Sequence, residues 1–432
     1  MAGSRQRHNR LHPRETFLSN HNSQFPRLVY ICHEFPKFTE TFVYREVKGL
    51  IDRGRSVLVF SMKKTGAPEQ IEDLETFLSI TRQLPPDFSW EFIKTQLKWI
   101  FRKPVGYIKE LMRVVGTRKR KSALPVVIRT GLFLRGALIA SMLEEEKNYR
   151  FMHVPGTGGE LISAHAAFVL TGIPYGFALH APYPLYLGSP LLVRHAQDAM
   201  WIAAISKDAR ELIVKLAGEN VREKIRIVHC GVRAEDYTPV KIKERKEKKI
   251  SSVGSLAELK GHDLLVKAMP ELLRRGMDVS LDIVGEGPER NNLESLARKL
   301  NVSDRVNLHG RCHPKKVRDL LSDSDAFALM CRIDSRKDRD GIPVALMEAM
   351  AMGLPCISTG ISGIPELIED GFSGILIEPD DVEALAGALE KVLKDSRLAQ
   401  TLGDAARKRV MEHFSLSGQV ERLEKLIATK AR

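Results

Sequence analysis

The sequence predicts an α/β protein made of two doubly wound domains whose parallel sheets face each other across a cleft. Three observations carry this. Short apolar runs alternate with helical periodicities along most of the chain. A charged, apolar-poor stretch at residues 240–249 ("VKIKERKEKK") reads as a linker between two such alternations. A length of 432 residues is long for one domain and comfortable for two.

Residues 1–26 mix Arg, His, Asn and Ser with few apolar side chains and read as a disordered basic arm. The first domain spans 27–239. It opens with a buried strand at 27–33 ("RLVYICH"). A loop and a helix follow, with Phe42, Val43, Val47, Leu50 and Ile51 at helical spacing, then a second strand, "RSVLVFSM". Strand, helix and strand over so few residues make a right-handed βαβ unit. Residues 149–154 are a further strand, "PGTGGELISAHAAFVLTG" turns into a helix, and the next strand ends at His180. A histidine at the carboxyl end of a strand in an open parallel sheet faces the ligand crevice. "MWIAAISKDARELIVKLAG" and "EKIRIVHCGVRAEDY" complete this domain. After the linker, residues 250–410 repeat the pattern, from the strand "ISSVGSL" and the helix "KGHDLLVKAMPELLRRG" to Leu385, Leu389 and Leu393 in helical phase. Residues 411–432 close the chain as an amphipathic helix.

A hydrophobic content of 43% and a charged content of 28% describe an ordinary soluble globular protein. No 18-residue apolar run is evident, so no transmembrane helix is expected, and the N-terminus lacks the apolar segment of a secretory signal. The five cysteines have neither pairing nor metal spacing, which suits a reducing cytoplasm. Cys312 sits between His309 and His313, but no fourth ligand is near, so no metal is expected. A net charge of +13 leaves nucleic acid, anionic lipid and polyanionic substrates open. Its distribution decides: residues 90–135 combine Trp90, Phe92, Trp99, Phe101 and Tyr107 with many Lys and Arg and almost no acids. That is the composition of amphipathic helices on an anionic membrane surface, or of ordinary surface helices whose basic side chains are solvated, and nucleic acid is not the expected partner.

The densest chemistry lies in Asp340-Gly-Ile-Pro-Val-Ala-Leu-Met-Glu-Ala-Met-Ala-Met-Gly353. Pro343 suits a first helical position and Gly353 the left-handed position that ends a helix. Between them is a short apolar helix with one carboxylate, Glu348, which must be hydrogen-bonded if it is buried. A vicinal diol would supply two donors, and an arginine or backbone N–H would serve as well. Asp340 precedes the helix, and the free N–H groups around Gly341, Ile342, Pro343 and Val344 make an anion site between the two acids.

This run, continued by "EAMAMGLPCISTGISGIPELIEDGFSGILIEPDD", resembles the signature of the retaining glycosyltransferases of family 4, in the colanic-acid and exopolysaccharide branch. The Phe-Pro-x-x-x-Glu-Thr-Phe segment ending in Glu40-Thr-Phe fits the same branch. The resemblance implies a GT-B fold, two Rossmann-like domains with the active site in the interdomain cleft and a last helix crossing back to the first domain. It implies transfer of a sugar from a nucleotide-diphosphate sugar to a lipid-linked or polysaccharide acceptor, with no cofactor and no divalent metal. The donor diphosphate would meet Lys260, Ser255 and Gly341 to Val344, with Glu286 near the nucleotide. Glu348 would hold the ribose and Asp340 the sugar hydroxyls. His180, with Glu40 and His153, would serve the acceptor side. The chain departs from the family pattern at Cys230 and Arg233, where the family has Asn and Asp, and twice at the donor site: Asp340 replaces a glutamate, and Ser255 replaces the arginine that clamps the diphosphate, which implies weaker donor binding, Arg311 or Arg332 in that place, or reduced activity. A binding or scaffold member of the same fold, without full activity, is the alternative. The scattered cysteines and the basic aromatic stretch together lead to the expectation of a cytoplasmic protein, peripheral on the inner face of the plasma membrane.

Overall fold

Apolar runs buried on both faces form the strands of two parallel sheets in the computed structural model, which describes residues 27–431 apart from 38–39, 67–70, 72, 118–123, 147, 181–189 and 242–243. The basic arm expected at 1–26 lies outside the described residues, as do 118–123 of the expected membrane stretch.

The first sheet holds β1 (Leu28–Glu34), β2 (Val57–Lys63), β3 (Thr81–Gln83), β4 (Phe151–Val154), β5 (Tyr175–Leu179), β6 (Trp201–Ala204) and β7 (Ile225–Ile227), in the order β3-β2-β1-β4-β5-β6-β7. The second holds β8 (Lys248–Val253), β9 (Val279–Val284), β10 (Val306–Leu308), β11 (Ala326–Leu329), β12 (Cys356–Thr359) and β13 (Ile375–Ile377), in the order β10-β9-β8-β11-β12-β13. In each sheet the first strand lies inside and the winding reverses beside it, between β1 and β4 and between β8 and β11. Such switch points open a crevice at the carboxyl ends of the strands. The two crevices face each other, and this is the GT-B arrangement.

Several expectations shift at their edges. The second sheet begins at Lys248, inside the stretch read as linker, and Arg245 of that stretch is tied to Asp323 and Asp325 by ion pairs of 3.0 and 2.7 Å. Strands β3 and β13 escaped the sequence reading because each has three half-buried residues and no legible alternation. The helix Leu416–Ala431 packs on the helix Thr41–Asp52 of the first sheet, where Gly49 lets it approach: a Cβ there would stand 2.7 Å from Val420 Cγ2. Glu424 fastens the contact through Arg53 (2.8 Å) and Arg55 (2.6 Å).

The expectation of no long apolar helix is corrected. Val126–Glu145 is long and apolar enough to cross a membrane by length and composition. It is mostly buried, and its Gly136 faces Ser163 and Ala166 of the helix Gly159–Thr171, so it serves as a core helix of the first domain. The two helices before it, Trp90–Arg102 and Pro104–Gly116, split the aromatic stretch by face. Phe92, Trp99 (1% exposed) and Tyr107 point inward, whereas Trp90 (75%), Phe101 (81%), Val105 and Met112 stand in solvent.

Candidate active site

The loop after β8 carries the first group. Gly254 and Ser255 end the strand, and a 3-10 turn at Glu258–Lys260 presents the lysine. Gly261 then turns the chain into the helix His262–Arg274 at φ +64°, where a Cβ would stand 1.9 Å from the Met330 carbonyl oxygen. Both the left-handed backbone and the contact demand glycine. Gly261→Ala is expected to destabilise the protein by about 2 kcal/mol or more, read as a lower Tm. An unchanged Tm would show that the turn relaxes freely.

Lys260 donates to Asp340, and both side chains are largely buried. Burial alone would lower the Lys260 pKa, but the Asp340 carboxylate outweighs it and holds the ammonium above its ordinary value. Asp340 Oδ1 also accepts from the Gly341 N–H at 3.2 Å. The helix begins at Val344, with Pro343 as its N-cap rather than its first residue, and Gly353 at φ +72° follows its end.

Glu348 is half-buried rather than fully buried, and protein groups engage it: Arg45 Nη2 and the Tyr237 hydroxyl each donate to Oε1 at 2.8 Å. Arg45 comes from the first domain and Glu348 from the second, so the pair bridges the cleft. Neither Arg45 nor Tyr237 emerged from the sequence. Arg45 is one basic residue in an amphipathic helix, and its partner lies 303 positions away.

A cavity of about 500 Å³ between the domains is lined by Ser255, Lys260, Glu286, Arg311 and Glu348, with Arg45 and Tyr237 on the opposite wall. Glu286 reaches it while paired with Arg290 at 2.8 Å. Of the two arginines named as substitutes at Ser255, Arg311 lines this cavity. Arg332 does not, being paired with Asp263 and, at 3.3 Å, Asp380.

The start of the Val344–Ala351 helix is not open to the cavity. Gly341, Ile342 and Pro343 are buried, and a Cβ on Gly341 would stand 2.5 Å from the His180 carbonyl oxygen. The anion site expected there is therefore covered by the first domain in this structure. The same contact sets His180 beside the Asp340–Lys260 pair. Its ring packs on Phe42 at 4.3 Å, its Nδ1 lies 3.5 Å from Cys230 Sγ, and burial pulls its pKa down to about 4. The ring is thus neutral at physiological pH.

Glu40 and His180 line a second cavity, of about 980 Å³, in the first domain. His153 does not join them. It is fully buried within the sheet, edge-on to Tyr30 and stacked on Trp201, whose Nε1 donates to its Nδ1 at 3.3 Å. Burial drives its pKa down to about 3, and it lines neither cavity, so its expected place on the acceptor side is corrected. His309 and His313 are engaged as well, the first with Asp282 at 2.6 Å and the second capping the helix Pro314–Ser322.

Residues 234–409 match the family model described as "Glycosyl transferases group 1". The chain is 34% identical over 209 residues to the putative colanic acid biosynthesis glycosyltransferase WcaL of Salmonella typhimurium, covering 48% of this chain and 52% of that one. It is 33% identical over 195 residues to the amylovoran biosynthesis glycosyltransferase AmsK of Erwinia amylovora, covering 45% and 48%. The chain thus spans about half the length of the curated relatives it matches. The crystal structure of HepE from Anabaena in complex with UDP superposes with a TM-score of 0.69 over 93% of this chain and all of that one, at 16% identity, a likeness of fold. With two facing parallel sheets and the matched segment covering most of the second, this GT-B chain carries a glycosyl transferases group 1 domain at residues 234–409.

Proposed function

We propose that the protein is a retaining glycosyltransferase of exopolysaccharide biosynthesis, moving a sugar from a nucleotide-diphosphate donor to a lipid-linked or polysaccharide acceptor. The observation that carries this is the Lys260–Asp340 pair, with Lys260 and the carboxylate of Glu348 both lining the cavity between the domains and the His180 carbonyl set against Gly341 next to Asp340. The solved relative bound to UDP and the relatives named for colanic acid and amylovoran synthesis support the same reading.

Roles follow from the charges. Lys260, released from Asp340 by an incoming donor, neutralises the leaving diphosphate, with Arg311 supplying the second cation where Ser255 has none. No divalent metal is needed for that step. Asp340 then accepts from hydroxyls of the transferred sugar. Glu348 exchanges Arg45 for the ribose hydroxyls. Neutral His180 hydrogen-bonds the sugar or the acceptor. The bond from the anomeric carbon to the diphosphate breaks while the acceptor oxygen bonds that carbon on the same face, and the acceptor proton passes to the departing phosphate. The exposed apolar residues of Trp90–Arg102 and Pro104–Gly116, interleaved with Lys94, Lys98, Arg102 and Lys109, rest on an anionic membrane at its cytoplasmic face.

The test is a turnover and thermal-shift screen against UDP-, GDP- and ADP-sugars with EDTA present. One donor is expected to raise the Tm and to release free nucleotide. Stabilisation without turnover under any acceptor would support a binding member of the fold, and no shift with any donor would remove the enzyme reading. Glu348→Gln is expected to weaken nucleotide binding about 10- to 100-fold by titration calorimetry, the usual worth of a hydrogen bond to a charged group. Unaltered affinity would take Glu348 out of the donor site.

A further inference from the structure

The Cys230 thiol is buried, and among the described residues its one polar partner is His180 Nδ1, at 3.5 Å. The segment carrying the thiol is pinned on both sides. Before it, His229 Nδ1 donates to the Ile205 carbonyl at 2.6 Å, and the His229 backbone N–H donates to Gln419 Oε1 at 3.0 Å. After it, the Val232 N–H donates to the Phe414 carbonyl at 3.0 Å, and the Leu416 N–H donates to the Val232 carbonyl at 2.9 Å. Gly231 admits no side chain, since a Cβ there would stand 2.5 Å from Leu416 Cα. The last helix, by crossing back onto the first domain, therefore fixes where the thiol lies.

The ring of His180 is held as well, with Phe42 packed on it at 4.3 Å, and burial keeps it neutral. A neutral imidazole has one N–H and one bare nitrogen, and the partner of one nitrogen decides which is which. Burial and the carboxylates of Glu46 and Asp340 keep the Cys230 thiol protonated, against the opposing charge of Arg45. A protonated thiol offers one hydrogen and only a weak sulfur acceptor, whereas a bare imidazole nitrogen accepts well. The arrangement that uses both groups is S–H toward Nδ1. The ring proton then sits on Nε2, for which the described residues offer no partner, and His180 lines the second cavity. The asparagine of the family pattern could present either its oxygen or its N–H to Nδ1 and would leave the tautomer open. The thiol does not.

We propose that Cys230 is a positioning residue that fixes His180 as its Nε2–H tautomer, so that His180 meets the substrate as a hydrogen-bond donor to one of its oxygens and not as a base. With Nδ1 occupied by the thiol and Nε2 already protonated, no bare nitrogen of His180 is left to take the acceptor's proton, which agrees with its passage to the departing phosphate. The identity of the substrate rests on the glycosyltransferase reading; the tautomer does not.

The test is the nitrogen NMR spectrum of the full chain labelled at histidine, with the His180 signals identified by their loss in His180→Gln. At neutral pH a single tautomer is expected, Nε2 protonated and Nδ1 bare. Cys230→Ser, whose hydroxyl is a donor of similar size, should keep it, and Cys230→Ala should bring in the second tautomer. Cys230→Ala should also lower kcat about 3- to 10-fold, the usual worth of one neutral hydrogen bond, and Cys230→Ser should restore it to within about twofold. In the His180→Gln background Cys230→Ala should cost less than about twofold further, because it acts through the ring. A protonated Nδ1 in the wild type would overturn the proposal whether or not any variant folds. So would a Cys230→Ala protein that keeps both tautomer and kcat, or losses that simply add in the double variant. The spectrum needs no substrate: if no sugar donor is turned over while the tautomer follows residue 230, the transferase reading falls and the tautomer assignment stands.

Discussion

Lys260→Ala is expected to lower kcat/KM for the preferred donor by about 10²- to 10³-fold, the range found when one preorganised charge-stabilising donor is removed from a transfer site. The loss should fall mainly on kcat if the ammonium meets the diphosphate as charge develops on it, and on KM if it only binds donor. Lys260 is held by a short turn that Gly261 closes against Met330. Asp340→Asn separates the two roles. It keeps the shape, removes the charge that raises the Lys260 pKa, and tests whether the lysine needs its partner before the donor arrives. Steady-state kinetics with the donor found in the screen decide this. A loss below about threefold for Lys260→Ala would place the diphosphate elsewhere in the cleft, near Arg311 and Arg45.

His165→Leu is expected to lower the Tm by about 6–12 °C, through a loss of about 3 kcal/mol from a buried charged cluster far from the donor cleft. His165 Nδ1 lies 2.9 Å from Glu110 Oε1 and its Nε2 lies 3.0 Å from Asp198 Oδ2, which Arg194 also engages at 2.7 Å. Arg113 pairs with Glu110. The ring of His195 packs 4.5 Å away and is kept neutral by burial. Burial pulls the His165 pKa down, but hydrogen bonds and charge from Asp198 and Glu110 override it and raise it above 6.5. Burial likewise works against Glu110 and Asp198, yet His165 and the arginines hold both below their ordinary 4.5 and 3.8. The His165 contribution is therefore complete below pH 6.5 and is lost as pH rises through its raised value. The carboxylate contributions are complete above 4.5 and 3.8 and are lost as pH falls through their lowered values. The gap in Tm between wild type and His165→Leu should be widest between about pH 4.5 and 6.5 and should narrow as pH rises through the raised His165 pKa. A gap that is flat with pH would mean that packing, not charge, holds the three helices together.

The strand and helix succession, the division near residue 245 and the acid–helix–acid segment were all legible in the sequence, because burial and backbone needs act within a few residues. Apolar runs mark strands that helices cover on both faces, and Gly353 marks a left-handed helix end. The aromatic stretch was legible only as composition. Which rings point outward depends on the contact with Val126–Glu145, which buries Trp99 against Ser141 at 3.0 Å and leaves Phe101 in solvent.

Partnership across the cleft was beyond a linear reading. Glu348 could be seen to need donors, yet Arg45 and Tyr237 come from 303 and 111 residues away. His153 lies within β4 and His180 directly follows the neighbouring β5, and the two look alike in sequence. A shift of position along the sheet leaves one inside the core against Trp201 and the other at the crevice against Gly341. The sequence by itself determined the chemistry carried on each element, since propensity, periodicity and turn residues are local. Only the tertiary structure decided which of those groups meet, because the packing of two separate sheets sets distances that no spacing along the chain encodes.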